Sequence, residues 1–158
     1  MPANNITRML DAKKISYKAF DLPVEKMGAQ ETARLLNVPL ERVFKTIVVT
    51  REGKGKAILA VVPGTGEVDL KALAKAVDEK KLHLPTEREA EQITGLQAGG
   101  ISPLALINRG FQVVLDLSAQ KFPSIHVSGG QRGLNILIAV EALVQLTNAR
   151  LAMITSIV

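Results

Sequence analysis

Three short segments hold the residue types most able to do chemistry. Phe44-Lys45-Thr46 stands at the mouth of an apolar run, Gly99-Gly100-Ile101-Ser102-Pro103 forms a glycine–proline stretch, and Ser128-Gly129-Gly130-Gln131-Arg132-Gly133 links two apolar runs. The first offers a cation from the edge of a hydrophobic strand. The other two offer backbone N–H groups that approach a ligand closely, because no Cβ intervenes at glycine. Together they suit a pocket that grips an oxygen-rich substrate without supplying a conventional nucleophile.

Each segment also has a plainer account. Strand alternation puts Lys45 on the face of Ile47, where an ammonium can bond a carbonyl or phosphate oxygen. From pattern alone, a strand-end lysine snorkelling to water explains it better. Residues 99–103 read either as an oxyanion-type cradle or as a tight turn after a helix. Residues 128–133 read as a ligand border or as a hairpin turn, with Ser128 and Arg132 the residues a hairpin alone does not require.

Other chemistries lack their parts. The chain has no cysteine, which excludes disulfides and thiolate catalysis and fits a reducing cytoplasm. Neither glycine cluster continues into Gly-Lys-Ser/Thr, and no Gly-x-Ser-x-Gly elbow occurs. The two histidines, His83 and His126, each lie in a strand-like run and are expected as half-exposed strand residues, so no metal or other cofactor is expected. Gly64-Thr65-Gly66-Glu67 reads as a connecting turn. The longest charge-free stretch, Gln92 to Asn108, is interrupted by Gly95, Gly99, Gly100 and Pro103, so no membrane span is expected. Residues 1–5 lack the layout of a signal peptide. A net charge of +5 permits contact with a phosphate backbone without demanding it. Aromatics are only 3% of residues, which disfavours a base-stacking platform.

The elements that position these segments follow from periodicity. With 158 residues and 47% hydrophobic content, one domain over 1–158 is expected. Helical spacing runs from Ile6 to Ala12 and from Ala29 to Asn37, the latter closed by Val38-Pro39. Phe44–Thr50 and Ala57–Val62 form the clearest hairpin. Asp69 caps a helix, a short strand covers Leu82–Leu84, and Thr86 with Glu89 forms a capping box. Strands are expected at 15–21, 111–117, 124–128 and 134–139, with a last helix at 141–146. The class is mixed α/β (α+β) around a curved, barrel-like, mostly antiparallel sheet.

With these segments in order, the sequence resembles the YbaK/EbsC family of aminoacyl-tRNA deacylases. Phe-Lys-Thr before a β run, Thr94-Gly95 leading into Gly-Gly-Ile-Ser-Pro-Leu, and Val-Ser-Gly-Gly-x-Arg-Gly-Leu carry the likeness. Asp69-Leu70-Lys71 and Ala74-Lys75-Ala76 add a lysine-rich middle helix. The resemblance extends to about Leu146. It implies the fold of the editing insertion of bacterial prolyl-tRNA synthetases, with six or seven strands and flanking helices. It further implies trans-editing: release of a wrongly attached amino acid, cysteine in the best-known branch, from tRNA charged for proline or cysteine. The substrate is then the acceptor end of aminoacyl-tRNA, with a prolyl- or cysteinyl-tRNA synthetase as possible partner.

By the same resemblance Lys45 is the essential lysine and Gly99 to Pro103 holds the substrate carbonyl. The turn from Ser128 through Gly129 to Gly130 borders the terminal adenosine pocket, and Phe44, Thr46, Leu22, Arg132 and Asn135 are further substrate-binding residues. In the cysteine branch the substrate's own thiol attacks its ester. This chain departs from that branch at Asn135, where the branch has aspartate, and at Leu22 and Leu96, where it has tyrosines. These changes remove a charge and make the expected pocket greasier.

Overall fold

The computed structural model describes residues 4–157. At its centre lies β3 (Ile58–Pro63), buried at every position. A strand covered on both faces needs consecutive apolar side chains, and Ile58-Leu59-Ala60-Val61-Val62 supplies them. Leu59 and Val61 enter one core with Phe44, Leu115 and Ile136, whereas Ile58, Ala60 and Val62 enter a second with Val49, Leu73 and Ile154.

Around β3 a five-stranded sheet runs in the order β5 (Leu82–His83), β2 (Phe44–Arg51), β3, β6 (Gln112–Asp116), β9 (Arg150–Ala152). The expected hairpin is present, with Lys45 of β2 opposite Val62 of β3. A three-stranded antiparallel sheet has β8 (Leu134–Ala139) between β1 (Tyr17–Asp21) and β7 (Ser124–Ser128). A parallel bridge from Val43 to His126 connects these two sheets. β4 (Gly66–Val68) and β10 (Thr155–Ile157) form a third, antiparallel pair.

The mixed α/β class and the mostly antiparallel pairing stand. Two details of the expectation are corrected, the strand count with its barrel-like closure and the turn at Gly66-Glu67. Ten strands occur among the described residues, not six or seven, and they form three sheets without closing a barrel. The β3–β6 and β6–β9 pairings are parallel. β4, β9 and β10 have three residues each, too few to show a period of two. Gly66-Glu67, expected in a turn, begins β4. A Cβ on Gly66 would stand 2.3 Å from Thr155 Cγ2, which is why the β10 backbone can lie against it.

Among the described residues, five α-helices flank the sheets: α1 (Asn5–Ala12), α2 (Ala29–Leu36), α3 (Leu70–Ala76), α4 (Glu87–Thr94) and α5 (Val140–Thr147). Asp69 accepts the amide of Ala72 at 3.1 Å, and Thr86 with Glu89 closes the expected capping box. Among the described residues, no helix is long and apolar enough to cross a membrane.

The C-terminal segment is tied down by a carboxylate. Asp116 accepts the amides of Ile154 at 2.9 Å and Ser118 at 3.1 Å. Burial works to raise the carboxyl's pKa, but the hydrogen bonds it accepts outweigh burial and hold it below its ordinary value.

His126 corrects a second expectation. It is 2% exposed rather than half-exposed, because β7 is covered by the Phe20 ring, 5.6 Å away, and bridged by Val43. Burial, and secondarily the charge of Arg42, lowers its pKa, against the opposing bond to Asn135. The sign of the consequence follows. The unfolded chain takes up this proton near the ordinary histidine value of 6.5, before the folded protein does. Stability is therefore full above about pH 6.5 and falls as acidity moves toward and through the folded value. Urea unfolding measured in steps from pH 7.5 to 5 is expected to show that decline, and His126→Phe is expected to flatten it.

Candidate active site

A cavity of about 520 Å³ opens between the N-terminal end of β2, the loop after β1 and residues 98–101. Phe44, Lys45, Thr46, Leu22, Gly99, Ile101, Ser128 and Asn135 of the expected site residues line it. Chain segments far apart in sequence meet here for simple reasons. β2 carries Lys45 to the mouth. The β7–β8 pairing sets Ser128 directly opposite Asn135, so their side chains share one patch of wall.

The amide geometry of residues 99–101 is specific. The Gly100 N–H donates to Gln97 O at 2.8 Å and closes the turn. The N–H groups of Gly99 and Ile101 donate to no protein acceptor among the described residues, and both residues line the cavity. Gly99 adopts φ +89°, a left-handed conformation that glycine takes without strain. Two amides are thus available to an incoming oxygen, and the third builds the turn that holds them.

Lys45 is not a lone cation. Its Nζ lies 3.1 Å from Oε1 of Glu67, with the lysine side chain 26% exposed and the glutamate 62%. The sequence carried no sign of this partner, because β4 was read as a turn. An ion pair this open contributes only ~0–1 kcal/mol and is readily exchanged for another anion or oxygen.

Six expected site residues do not face the cavity. Ser102 is fully buried and caps the following turn by accepting the Leu104 amide at 3.2 Å; Pro103 is buried beside it. Gly100 packs on the 128–133 turn, where a Cβ would lie 2.9 Å from Cα and C of Gln131. Arg132 Nε donates to Ala98 O at 2.7 Å, clamping the same two segments together. Gly129 and Gly130 line a different cavity with Leu96, which therefore does not make the first cavity greasier. Gly129 bonds Leu134 O across the β7–β8 connection, and a Cβ on it would meet Leu134 at 2.5 Å. These residues build and lock the site from behind.

Sequence reasoning missed other parts. Lys26 and Glu87, both on the cavity wall, form a 2.6 Å ion pair between the loop after β1 and the start of α4. Leu84 and Met27 add apolar wall, and His126 Nδ1 stands 2.9 Å from Asn135 Oδ1 behind it. Only their spatial neighbours reveal them, since lone loop charges and single apolar residues have no readable spacing. Among the described residues, no cluster of three or more His, Asp or Glu is placed to hold a metal ion.

Lys45 and two unbonded amides line one cavity, with the docked turns 97–101 and 128–133 behind them, an arrangement chemically able to hold and polarise an acyl carbonyl. Comparisons with known proteins agree with that class. The model of the aminoacyl-tRNA editing domain matches residues 24–146. The chain is 36% identical over 154 residues to an Enterococcus faecalis protein provisionally named Cys-tRNA(Pro)/Cys-tRNA(Cys) deacylase EbsC, covering 96% of this chain and 93% of that one. It is 29% identical over 103 residues to the proline–tRNA ligase of Fusobacterium nucleatum, covering 65% of this chain but 18% of the ligase.

Two solved structures share the fold. One, provisionally described as a trans-editing enzyme for prolyl-tRNA synthetase, superposes with a TM-score of 0.81 at 23% identity over 99% of both chains. The other, hypothetical protein APE2540, gives 0.87 at 20% identity over 97% of this chain and all of that one. The chain belongs to the aminoacyl-tRNA editing domain family. Its activity class is accordingly aminoacyl-tRNA deacylation, and its substrate an aminoacyl-tRNA.

Proposed function

We propose that the cavity at Lys45 is the deacylation site and that residues 1–158 act as one trans-editing unit in the cytoplasm. The observation that carries this reading is the cavity itself, which joins Lys45, the unbonded amides of Gly99 and Ile101, and the Ser128–Asn135 pair. The aminoacyl end of the tRNA enters the mouth, its ester carbonyl meets the two amides, and Lys45 exchanges Glu67 for a substrate oxygen. Phe44, Thr46 and Leu22 shape the wall around the terminal adenosine and the amino acid. Gly100, Ser102, Pro103, Gly129, Gly130 and Arg132 hold that wall in register.

The amino acid released is cysteine, from tRNA charged for proline or cysteine, as in the name of the Enterococcus relative. Its thiol sulfur attacks the ester carbonyl, forming the C–S bond of a cyclic thiolactone. The ester C–O bond breaks, and the ribose oxygen leaves with the electron pair and takes the thiol's proton. Water then opens the thiolactone to free cysteine. The protein supplies position and electrostatics for this route, with no side chain of its own attacking. Relation to a proline–tRNA ligase favours a prolyl-tRNA synthetase over a cysteinyl one as partner.

A second reading is favoured by the uncharged Leu22 and Asn135 on the wall. A small apolar amino acid such as alanine then fits, with water as the nucleophile. Incubation with a panel of mischarged tRNAs, read by mass spectrometry, separates the two. The thiol route predicts that Cys-tRNA outruns Ala-tRNA by more than the ~10–200-fold available to simple pocket discrimination, with thiolactone preceding free cysteine. Equal turnover of cysteine and alanine, with free amino acid from the first time point, selects water. Binding without turnover of any charged tRNA identifies a non-catalytic aminoacyl-tRNA or synthetase-binding module.

A further inference from the structure

Behind the cavity wall sits a buried polar pair with a direction built into it. His126 is 2% exposed and Asn135 is 5% exposed, and Nδ1 of the first lies 2.9 Å from Oδ1 of the second. A carboxamide oxygen only accepts hydrogen bonds, so the proton in this contact belongs to Nδ1. The amide nitrogen sits on the other branch of the same planar group, turned away from the imidazole. It has no protein acceptor among the described residues, and Asn135 lines the cavity.

We propose that His126 is a positioning residue: its Nδ1–H holds Asn135 so that the carboxamide NH2 faces the cavity, where it selects an acceptor oxygen of the aminoacyl end over a cationic group. The inference rests on the deacylation site proposed above and names a specificity device within it. A free asparagine presents either its oxygen or its nitrogen at similar cost. An asparagine tethered to a donor presents one of them. The wall then offers a fixed neutral donor, which bonds an ester, hydroxyl or carbonyl oxygen and turns the substrate's α-ammonium elsewhere.

The surroundings favour a single tautomer. Burial and the charge of Arg42 keep the imidazole neutral through ordinary pH, so one ring nitrogen carries the proton. The Phe20 ring packs on the imidazole, 5.6 Å between centroids, and restricts its rotation. Arg42 is itself held, donating to the carbonyl oxygen and hydroxyl of Ser124 at 3.0 and 2.8 Å, and stays as a fixed cation near the ring. Carboxamide orientation is thereby set by protein atoms before any substrate arrives.

The test begins with nitrogen-15 NMR of the imidazoles in the intact protein. Only two histidines are present, so a His83→Gln sample assigns the spectrum. A protonated Nδ1 and bare Nε2 at His126 are expected at neutral pH. A protonated Nε2 with bare Nδ1 overturns the proposal, because Asn135 must then donate to the ring and show its oxygen to the cavity. In kinetics, His126→Phe keeps the ring and removes the donor, and is expected to lower kcat/KM about tenfold, the effect of one unmade hydrogen bond. His126→Asn, whose amide nitrogen sits near the lost Nδ1, is expected to recover most of that loss. Equal activity in wild type, His126→Phe and His126→Asn overturns the positioning role. A wild type with no turnover defeats the deacylation site instead, and leaves the tautomer measurement to decide the orientation alone.

Discussion

Lys45→Ala is expected to lower kcat/KM for aminoacyl-tRNA deacylation by at least ~100-fold, the scale seen when one charge-stabilising donor leaves an acyl-transfer site. Stability should barely change. The lysine is partly exposed at the start of β2, and its ion pair with Glu67 is open to solvent. Removing such a pair costs no more than ~1 kcal/mol, which urea unfolding resolves. Glu67→Gln is the informative companion. It breaks the same pair but leaves the ammonium on the cavity wall, so turnover should persist. Normal turnover by a folded Lys45→Ala protein removes Lys45 from the mechanism. A Glu67→Gln protein as inactive as Lys45→Ala assigns the effect to the ion pair rather than to the cation.

Gly100→Val is expected to destroy the site from behind. The left-handed residue of this turn is its neighbour Gly99, at φ +89°. At Gly100 the constraint is space: an added Cβ stands 2.9 Å from Cα and C of Gln131 and 3.1 Å from the Arg132 amide. All three are backbone atoms that cannot rotate aside. The 97–101 turn must separate from the 128–133 turn, straining the bond from Arg132 to Ala98 O and displacing the amides of Gly99 and Ile101. Overpacking of this kind costs ~1–3 kcal/mol. Misplacing the carbonyl cradle by about 1 Å is enough for a ~100-fold loss of turnover. Gly100→Ala tests the same contact with the smallest possible side chain and should fall between wild type and valine. Unchanged kinetics in both variants would show that the two turns move independently and that their docking does not hold the site.

Acid sensitivity through His126 offers a cheaper check on the same wall. Loss of stability below about pH 6.5 reports that the imidazole is neutral when folded. That is the condition under which one tautomer can orient Asn135.

Local physics made much of this protein legible from its residues alone. The Asp69 cap and the Thr86–Glu89 capping box join residues three positions apart, and the β2–β3 hairpin pairs two strands adjacent in sequence, so all three are local features. The same holds for the glycine segments, whose freedom to approach a ligand is a property of the residues. Their order along the chain was enough to point to the editing family. Tertiary structure alone decided which of those residues meet. β4 and β10, three residues each, gain their stability only by pairing across the length of the chain, and through them Lys45 acquires Glu67. Alternation could place Lys45 on a face but could not reveal what stood opposite. Ser102, Pro103 and Arg132 look like cavity residues when motifs are read linearly. Docking of the two turns buries Ser102 and Pro103 and turns the half-buried Arg132 onto Ala98 O at the seam, where it satisfies a backbone carbonyl. His126 shows the limit most clearly: a histidine in a strand-like run is ordinarily half-exposed, and only the approach of Val43 and Phe20 buries it beside Asn135. Contacts that span nearby positions follow from residue chemistry, whereas those that close long loops depend on how whole sheets pack.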